Sequence, residues 1–214
     1  MTRKTTRERI LEAALAEFDE RGYEATTVAA LCHRAGVSNG SFFHAFPSKE
    51  AVAAALFLAA LAIYHEALIA AVPSETPAVK GVAALVTAHV RWVTRNRPTA
   101  RFMFLHGQSA DASVHRAEQA AANVRFRQGL AAWYEPNIQC GALLAASPEL
   151  LVSQIIGPAQ MFCRAWLSGR SSERPDRHLP TLIACAVRSV VLSSAEPSSK
   201  PVRQRRDRVL SPAK

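Results

Sequence analysis

The chain has 214 residues, 49% hydrophobic and 20% charged, the composition of an ordinary soluble globular protein with room for a real core rather than of a disordered chain. Alanine is frequent and β-branched runs are sparse, so helix propensity dominates and an all-α fold is expected. The net charge of +9 gathers at the two ends, which suits a polyanion such as nucleic acid or an anionic membrane surface.

The spacing predicts a first helix over residues 6–20. Thr5 and Glu8 have capping-box spacing, and Ile10, Leu11, Ala14, Leu15 and Phe18 form one apolar stripe. Gly22 closes it. A second, short helix starts at Thr26 or Thr27, turns Val28 and Leu31 inward, and stops at Ala35-Gly36. Ser38 caps a third that ends before Pro47. An amphipathic helix ahead of two short ones joined by a glycine-bearing turn is the outline of a helix-turn-helix.

A long helix follows from Ser48 to Val72. Its only strongly polar residues after Glu50 are His65 and Glu66, so its length approaches a membrane span. Its first half is alanine-rich, Ser48 caps one end and Pro73 stops the other, as in a buried helix of a soluble protein. Breaks are expected at residues 73–77, 96–98, 107–111, 136–141 and 168–175. The segments Pro148 to Leu167 and Asp176 to Ser193 are amphipathic. In the latter, Leu179, Leu182, Ile183, Ala186, Val187 and Val190 share a wide apolar face. From Glu196 to Lys214 there are six basic residues and two acids, with few apolar ones, which predicts a disordered basic tail. The three divisions are therefore 1–50, 51–195 and 196–214.

Cys32, Cys140, Cys163 and Cys185 lie far apart in apolar or helical settings. They are expected as buried small side chains in a reducing compartment. No apolar run follows the basic N-terminus, so a cytoplasmic location is expected.

The third helix decides the function. Phe42 and Phe46 are four residues apart and can pack on the first two helices, leaving Asn39, Gly40, Phe43 and His44 outward. A recognition helix needs short polar groups and close backbone at its N-terminal end. Gly40 permits close approach, Ser41 is within reach, and the Ser38-capped end offers N–H groups to phosphate. Lys49 adds a charge nearby. The surface fits double-stranded DNA.

Residues from Thr5 to Ala54 resemble the DNA-binding domain of the TetR family of transcriptional regulators. The resemblance rests on Ala14-x-x-x-Phe18, Gly22-Tyr23, Thr26-Thr27, Ala35-Gly36-Val37-Ser38, Gly40, His44, Phe46 and Ser48-Lys49-Glu50. It implies that Thr27 and Lys49 hold phosphates, and that Ser38, Asn39, Gly40, Ser41 and His44 lie in the major groove or against its backbone. Two departures stand out. Phe43 occupies a position usually filled by Tyr, and Leu31-Cys32-His33 replaces a commoner Ile-Ala pair, with His33 expected at the surface.

The resemblance also implies a helical ligand-binding and dimerisation domain behind the helix-turn-helix. Its apolar cavity would draw on Tyr64, Trp92, Phe102, His106, Phe126, Trp133 and Phe162, with Arg91, His106 or Gln160 giving polar specificity. The last two helices would pair with their two-fold mates through Ile155, Ala159, Cys163, Ile183 and Val187. The expected protein is a ligand-responsive regulator, a repressor, that binds a pseudo-palindromic operator as a homodimer. Its effector would be a small apolar molecule, with no membrane partner, cofactor or metal. The histidines show no ligand spacing, and no catalytic motif stands out. Two other readings stay open: a constitutive DNA-binding dimer, and an enzyme or carrier that keeps a vestigial helix-turn-helix.

Overall fold

The computed structural model describes residues 4–106 and 116–192. The expected break at 107–111 and the basic tail lie outside the described residues. Helix α1 (Thr6–Arg21) begins on a complete capping box: the Thr5 amide donates to Glu8 Oε2 at 2.8 Å, and the Glu8 amide donates back to Thr5 Oγ1 at 3.2 Å. Its Ile10, Ala14 and Phe18 are buried. Helix α2 (Val28–Ala35) is capped by Thr27, and α3 (Asn39–Ala45) by Ser38. Between them Gly36 takes the left-handed conformation, φ 63°, the backbone state that favours glycine and closes the helix-turn-helix turn.

Helix α4 (Lys49–Ala70) links this unit to the rest. It is long and apolar enough to cross a membrane, yet more than half of that stretch is buried inside the protein. Burial on several sides, rather than lipid, accounts for its composition.

The body is built around α5 (Ala78–Arg95), which packs against α4, α8 (Pro148–Leu167) and α9 (Leu179–Val190). Asn96 interrupts the chain, α6 (Arg97–Arg101) restarts it, and a π-helical turn covers Phe102–His106. Helix α7 (Arg116–Gln139) crosses α4 and lies against α5. Gly81 of α5 makes this contact possible, since a Cβ there would lie 2.4 Å from the Trp133 ring.

Three expectations are corrected. Helix α7 runs through Pro136, where a break was expected. Pro136 and Ala132, whose carbonyl it cannot serve, are both exposed, so that carbonyl can turn to water. The last helical segment begins as a 3-10 turn, Pro175–His178, and α9 ends at Val190. There the chain forms an isolated bridge, Leu143 with Val191. Cys32 and Cys163 are buried, whereas Cys140, in the turn after α7, and Cys185, on the outward side of α9, are exposed.

Candidate nucleic-acid interface and internal cavity

Helix α3 is held from behind. Phe42 is fully buried and Phe46 nearly so, and the Arg7 guanidinium sits 4.6 Å from the Phe46 ring centroid. The side chains of Asn39, Ser41, Phe43 and His44, together with Gly40, are exposed. Phe43 stands out with 55% of its surface free, its ring edge-on to Phe42 at 5.3 Å. At the N-terminal end, the Ser41 amide donates to Ser38 Oγ at 3.1 Å, and the two hydroxyls are 2.9 Å apart. The cap thus uses Ser38 and pins Ser41 beside it. Thr27 is likewise exposed and caps α2 by accepting from the Ala30 amide at 3.2 Å. His33 is exposed on α2.

Three cationic groups fix the unit's shape. Arg9 donates from Nη2 to the Ala35 and Gly36 carbonyls, the second at 2.7 Å, tying α1 to the turn before α3. Arg34 reaches back to Glu17 at 2.8 Å and to Glu20. The Lys49 ammonium donates to the Tyr23 carbonyl at 3.0 Å and lies 4.4 Å from the Tyr23 ring centroid. Of these, Arg9 and Arg34 carry no signal in the helical pattern. Their partners are backbone or acids many residues away.

The family described as bacterial regulatory proteins, tetR family, matches residues 10–56. Over 53 residues the chain is 42% identical to the HTH-type transcriptional regulator UidR of Escherichia coli (strain K12). That match spans 25% of this chain and 27% of UidR. Residues 10–56 therefore carry a DNA-binding domain of the tetR-family type. By structure it is similar to the fatty acid degradation regulator FadR from Bacillus halodurans, with a TM-score of 0.72 at 15% identity over 87% of this chain and 97% of that one. It is also similar to the TetR family transcriptional regulator PfmR from Thermus thermophilus, with a TM-score of 0.66 at 24% identity over 84% and 97%. These two likenesses concern the fold.

The helical body behind the N-terminal unit holds a cavity of about 360 Å³ between α4, α7 and α8. Tyr64, His65 and Leu68 come from α4, and Asn123, Phe126 and Arg127 from α7. Helix α8 closes it with Val152, Ser153, Ile156, Gly157 and Gln160, and places Glu149 at the edge. The His65 ring stacks on Phe126 at 4.3 Å. Burial, with a smaller contribution from the Arg125 charge, holds the His65 pKa down to about 4, so the ring is neutral near pH 7. Arg127 Nε pairs with Glu149 Oε1 at 3.0 Å. Tyr64 Oη and His89 Nδ1 share a hydrogen bond of 2.8 Å behind the cavity wall, and burial lowers His89 to about 4.

Of the aromatics expected at a ligand site, the structure brings Tyr64 and Phe126 together in this cavity. Trp92 lies one layer behind, with its ring 5.0 Å from Tyr64. The others serve different contacts. Phe102 stacks on Phe18 of α1 at 5.3 Å, Trp133 donates to the Thr76 carbonyl at 3.0 Å, and Phe162 meets His178 edge-on. Gln160 lines the cavity, whereas Arg91 is exposed elsewhere. His106 ends the π turn, and its side chain lies outside the described residues.

The expected dimer residues are also redistributed. Ile155, Ala159 and Cys163 are at most 2% exposed within the chain's own core, so they have no surface to offer a partner. Ile183 and Val187 are half-buried. The outward stripe of α8 is Leu150, Gln154, Pro158 and Met161, with Met161 63% exposed. That of α9 is Thr181, Ala184, Cys185 and Arg188. Both spacings follow one helical face.

Proposed function

We propose that the chain is a ligand-responsive repressor of the TetR family that binds a pseudo-palindromic DNA operator as a homodimer in the cytoplasm. The exposed, capped face of α3 carries the reading: short polar groups and Gly40 can approach base edges, while Phe42 and Phe46 fix the helix from behind. Ser38, Asn39, Gly40, Ser41 and His44 form the groove-facing set. Thr27 and Lys49 hold phosphate; an ammonium has three donors, and the Tyr23 carbonyl takes one of Lys49's.

For the homodimer, the support is the outward stripe of α8 beside that of α9. Exposed Leu150 and Met161 next to the small residues Ala184 and Cys185 suit close packing of two copies. For ligand response, the support is that α4 has both ends engaged. Tyr64, His65 and Leu68 line the cavity, and Lys49 and Glu50 hold Tyr23 at the helix-turn-helix, the Tyr23 hydroxyl lying 3.4 Å from Glu50 Oε1. A second joint, Arg101 donating to the Asp19 carbonyl at 2.8 Å and Phe102 stacked on Phe18, ties α1 to the body. A ligand that shifts α4 changes the separation of the two α3 helices and loses the half-site match.

Footprinting on genomic DNA tests the reading. Two protected half-sites about one helical turn apart are expected, and Asn39→Ala or His44→Ala should weaken specific sites far more than scrambled DNA. Binding no better than that of any protein of equal charge would sink it. Met161→Glu, a charge within the proposed dimer face, should give a monomer by sedimentation. An unchanged dimer would remove that face from the interface.

A further inference from the structure

The cavity between α4, α7 and α8 is lined by apolar side chains, one ion pair and a few neutral polar groups. Resting on the reading of this cavity as the effector site, we propose that it takes an uncharged amphipathic molecule: an apolar body bearing a hydroxyl, carbonyl, ester or amide, and neither an organic acid nor an amine. The floor and walls are apolar, with Leu68, Phe126 and Ile156 prominent. The charged groups in the lining, Arg127 and Glu149, neutralise one another at 3.0 Å. A carboxylate entering the cavity meets Glu149 as well as Arg127, and an ammonium meets Arg127 as well as Glu149. Either ion therefore loses its hydration without gaining an unopposed partner.

The remaining polar groups fit a neutral ligand. The half-buried Asn123 and Gln160 side chains line the cavity and have no hydrogen-bond partner among the described residues. Each amide both donates and accepts, which matches a hydroxyl or carbonyl and offers no net charge. The Ser153 hydroxyl donates to the Leu150 carbonyl at 2.8 Å, so what it has left is an acceptor. His65, neutral near pH 7 and stacked on Phe126, adds no charge either. The same neutrality explains why the ion pair sits at the edge, where Glu149 is largely exposed: it filters rather than binds.

The test uses the full-length protein and matched eight-carbon probes, namely octanol, octanone, octanoate and octylammonium, titrated calorimetrically near neutral pH. Octanol and octanone should bind saturably and at least about tenfold more tightly than either ion. Ile156→Trp, which fills the cavity, should abolish that binding while the thermal transition shows a folded protein. Glu149→Gln unpairs Arg127 and should move the preference toward octanoate over octanol by about tenfold. Octanoate or octylammonium binding as tightly as octanol, no saturable binding of the neutral pair, or a Glu149→Gln preference unchanged from wild type overturns the proposal. Operator affinity measured with the same probes separates the two readings. Saturable neutral binding that leaves DNA affinity unmoved keeps this inference and removes ligand response, whereas failure of the probes with operator binding intact removes this inference and leaves the DNA-binding reading standing.

Discussion

In the N-terminal unit, long side chains cross between helices to grip backbone and acids: Arg9 on the carbonyls of Ala35 and Gly36, Arg34 on Glu17 and Glu20, Lys49 on Tyr23. In the body, α4, α5, α7 and α8 meet largely through apolar faces and leave a cavity of about 360 Å³. On the proposed reading, the first region serves a partner of fixed dimensions, to which α3 presents its face at one angle. The second keeps a hollow lined mostly by apolar side chains, and empty volume costs stability. A hollow that a ligand can fill is compatible with that slack. A recognition surface is not.

If tight packing behind α3 sets its angle, emptying that packing should have the largest effect. Phe42 is fully buried, and Phe42→Ala should destabilise the N-terminal unit by about 3–5 kcal/mol. Urea unfolding followed by circular dichroism checks this, and operator binding should be lost with it. A loss under about 1 kcal/mol, far below the usual cost of such a truncation, would show that the unit relaxes as readily as the body.

The body's slack has an acid limit. His89 is buried with its pKa lowered to about 4, and His65 is lowered to a similar value. Unfolded, each titrates near 6.5. Between about pH 6.5 and pH 4 the unfolded chain therefore binds more protons, so stability is complete above that window and falls as pH drops through it. His89 alone accounts for roughly 3 kcal/mol, with His65 adding to the same slope. Denaturation at pH 7, 5.5 and 4 should show the decline, and His89→Gln should flatten it. Stability that stays level from pH 7 to 4 would mean that both rings already charge in the fold.

What the sequence makes legible follows the same division. In the N-terminal unit every cap, the glycine turn and the inward pair Phe42 and Phe46 have local signals, because short helices with one buried side leave a clean pattern. In the body the helices have neighbours on several sides. The apolar set Ile155, Ala159 and Cys163 then marks the chain's own core, while Met161, four residues from Gly157 and two from Cys163, faces out. Periodicity says that residues share a face, not which neighbour the face meets. For the same reason Phe102 and Trp133 read as cavity aromatics, although one stacks on α1 and the other covers Gly81. Contacts such as Arg101 to Asp19 span 82 residues and leave no trace in any local window.

A smaller effect should come from the helix-turn-helix turn. Gly36 has φ 63°, and a Cβ there would lie 2.8 Å from Arg9 Nη2. Gly36→Ala should cost about 1–2 kcal/mol for the left-handed conformation, with more if Arg9 loses the two carbonyls it holds. Chemical denaturation measures it, and an Arg9→Ala background separates the two contributions. A double variant no less stable than Arg9→Ala alone would mean that the turn is not strained by a side chain.

The finest test concerns one hydroxyl on the recognition face. Phe43 is exposed, with its ring edge-on to Phe42, so a para-hydroxyl would extend outward from the domain rather than into it. The family resemblance places that hydroxyl at a phosphate oxygen. Phe43→Tyr then adds one neutral donor to a charged acceptor, a gain of roughly 1 kcal/mol, or about fivefold in affinity. Phosphate contacts position a protein without reading bases, so operator and scrambled DNA should gain alike. A neutral donor releases no counterion, and the slope of affinity against salt should not change. Titrating both proteins on both DNAs at several salt concentrations reads all three quantities. A gain confined to the operator would place the residue at a base edge. Weaker binding by Phe43→Tyr would mean that the ring's apolar edge, pressed against sugar, contributes more than the hydroxyl adds, and that this chain's departure from tyrosine is part of how it fits its DNA.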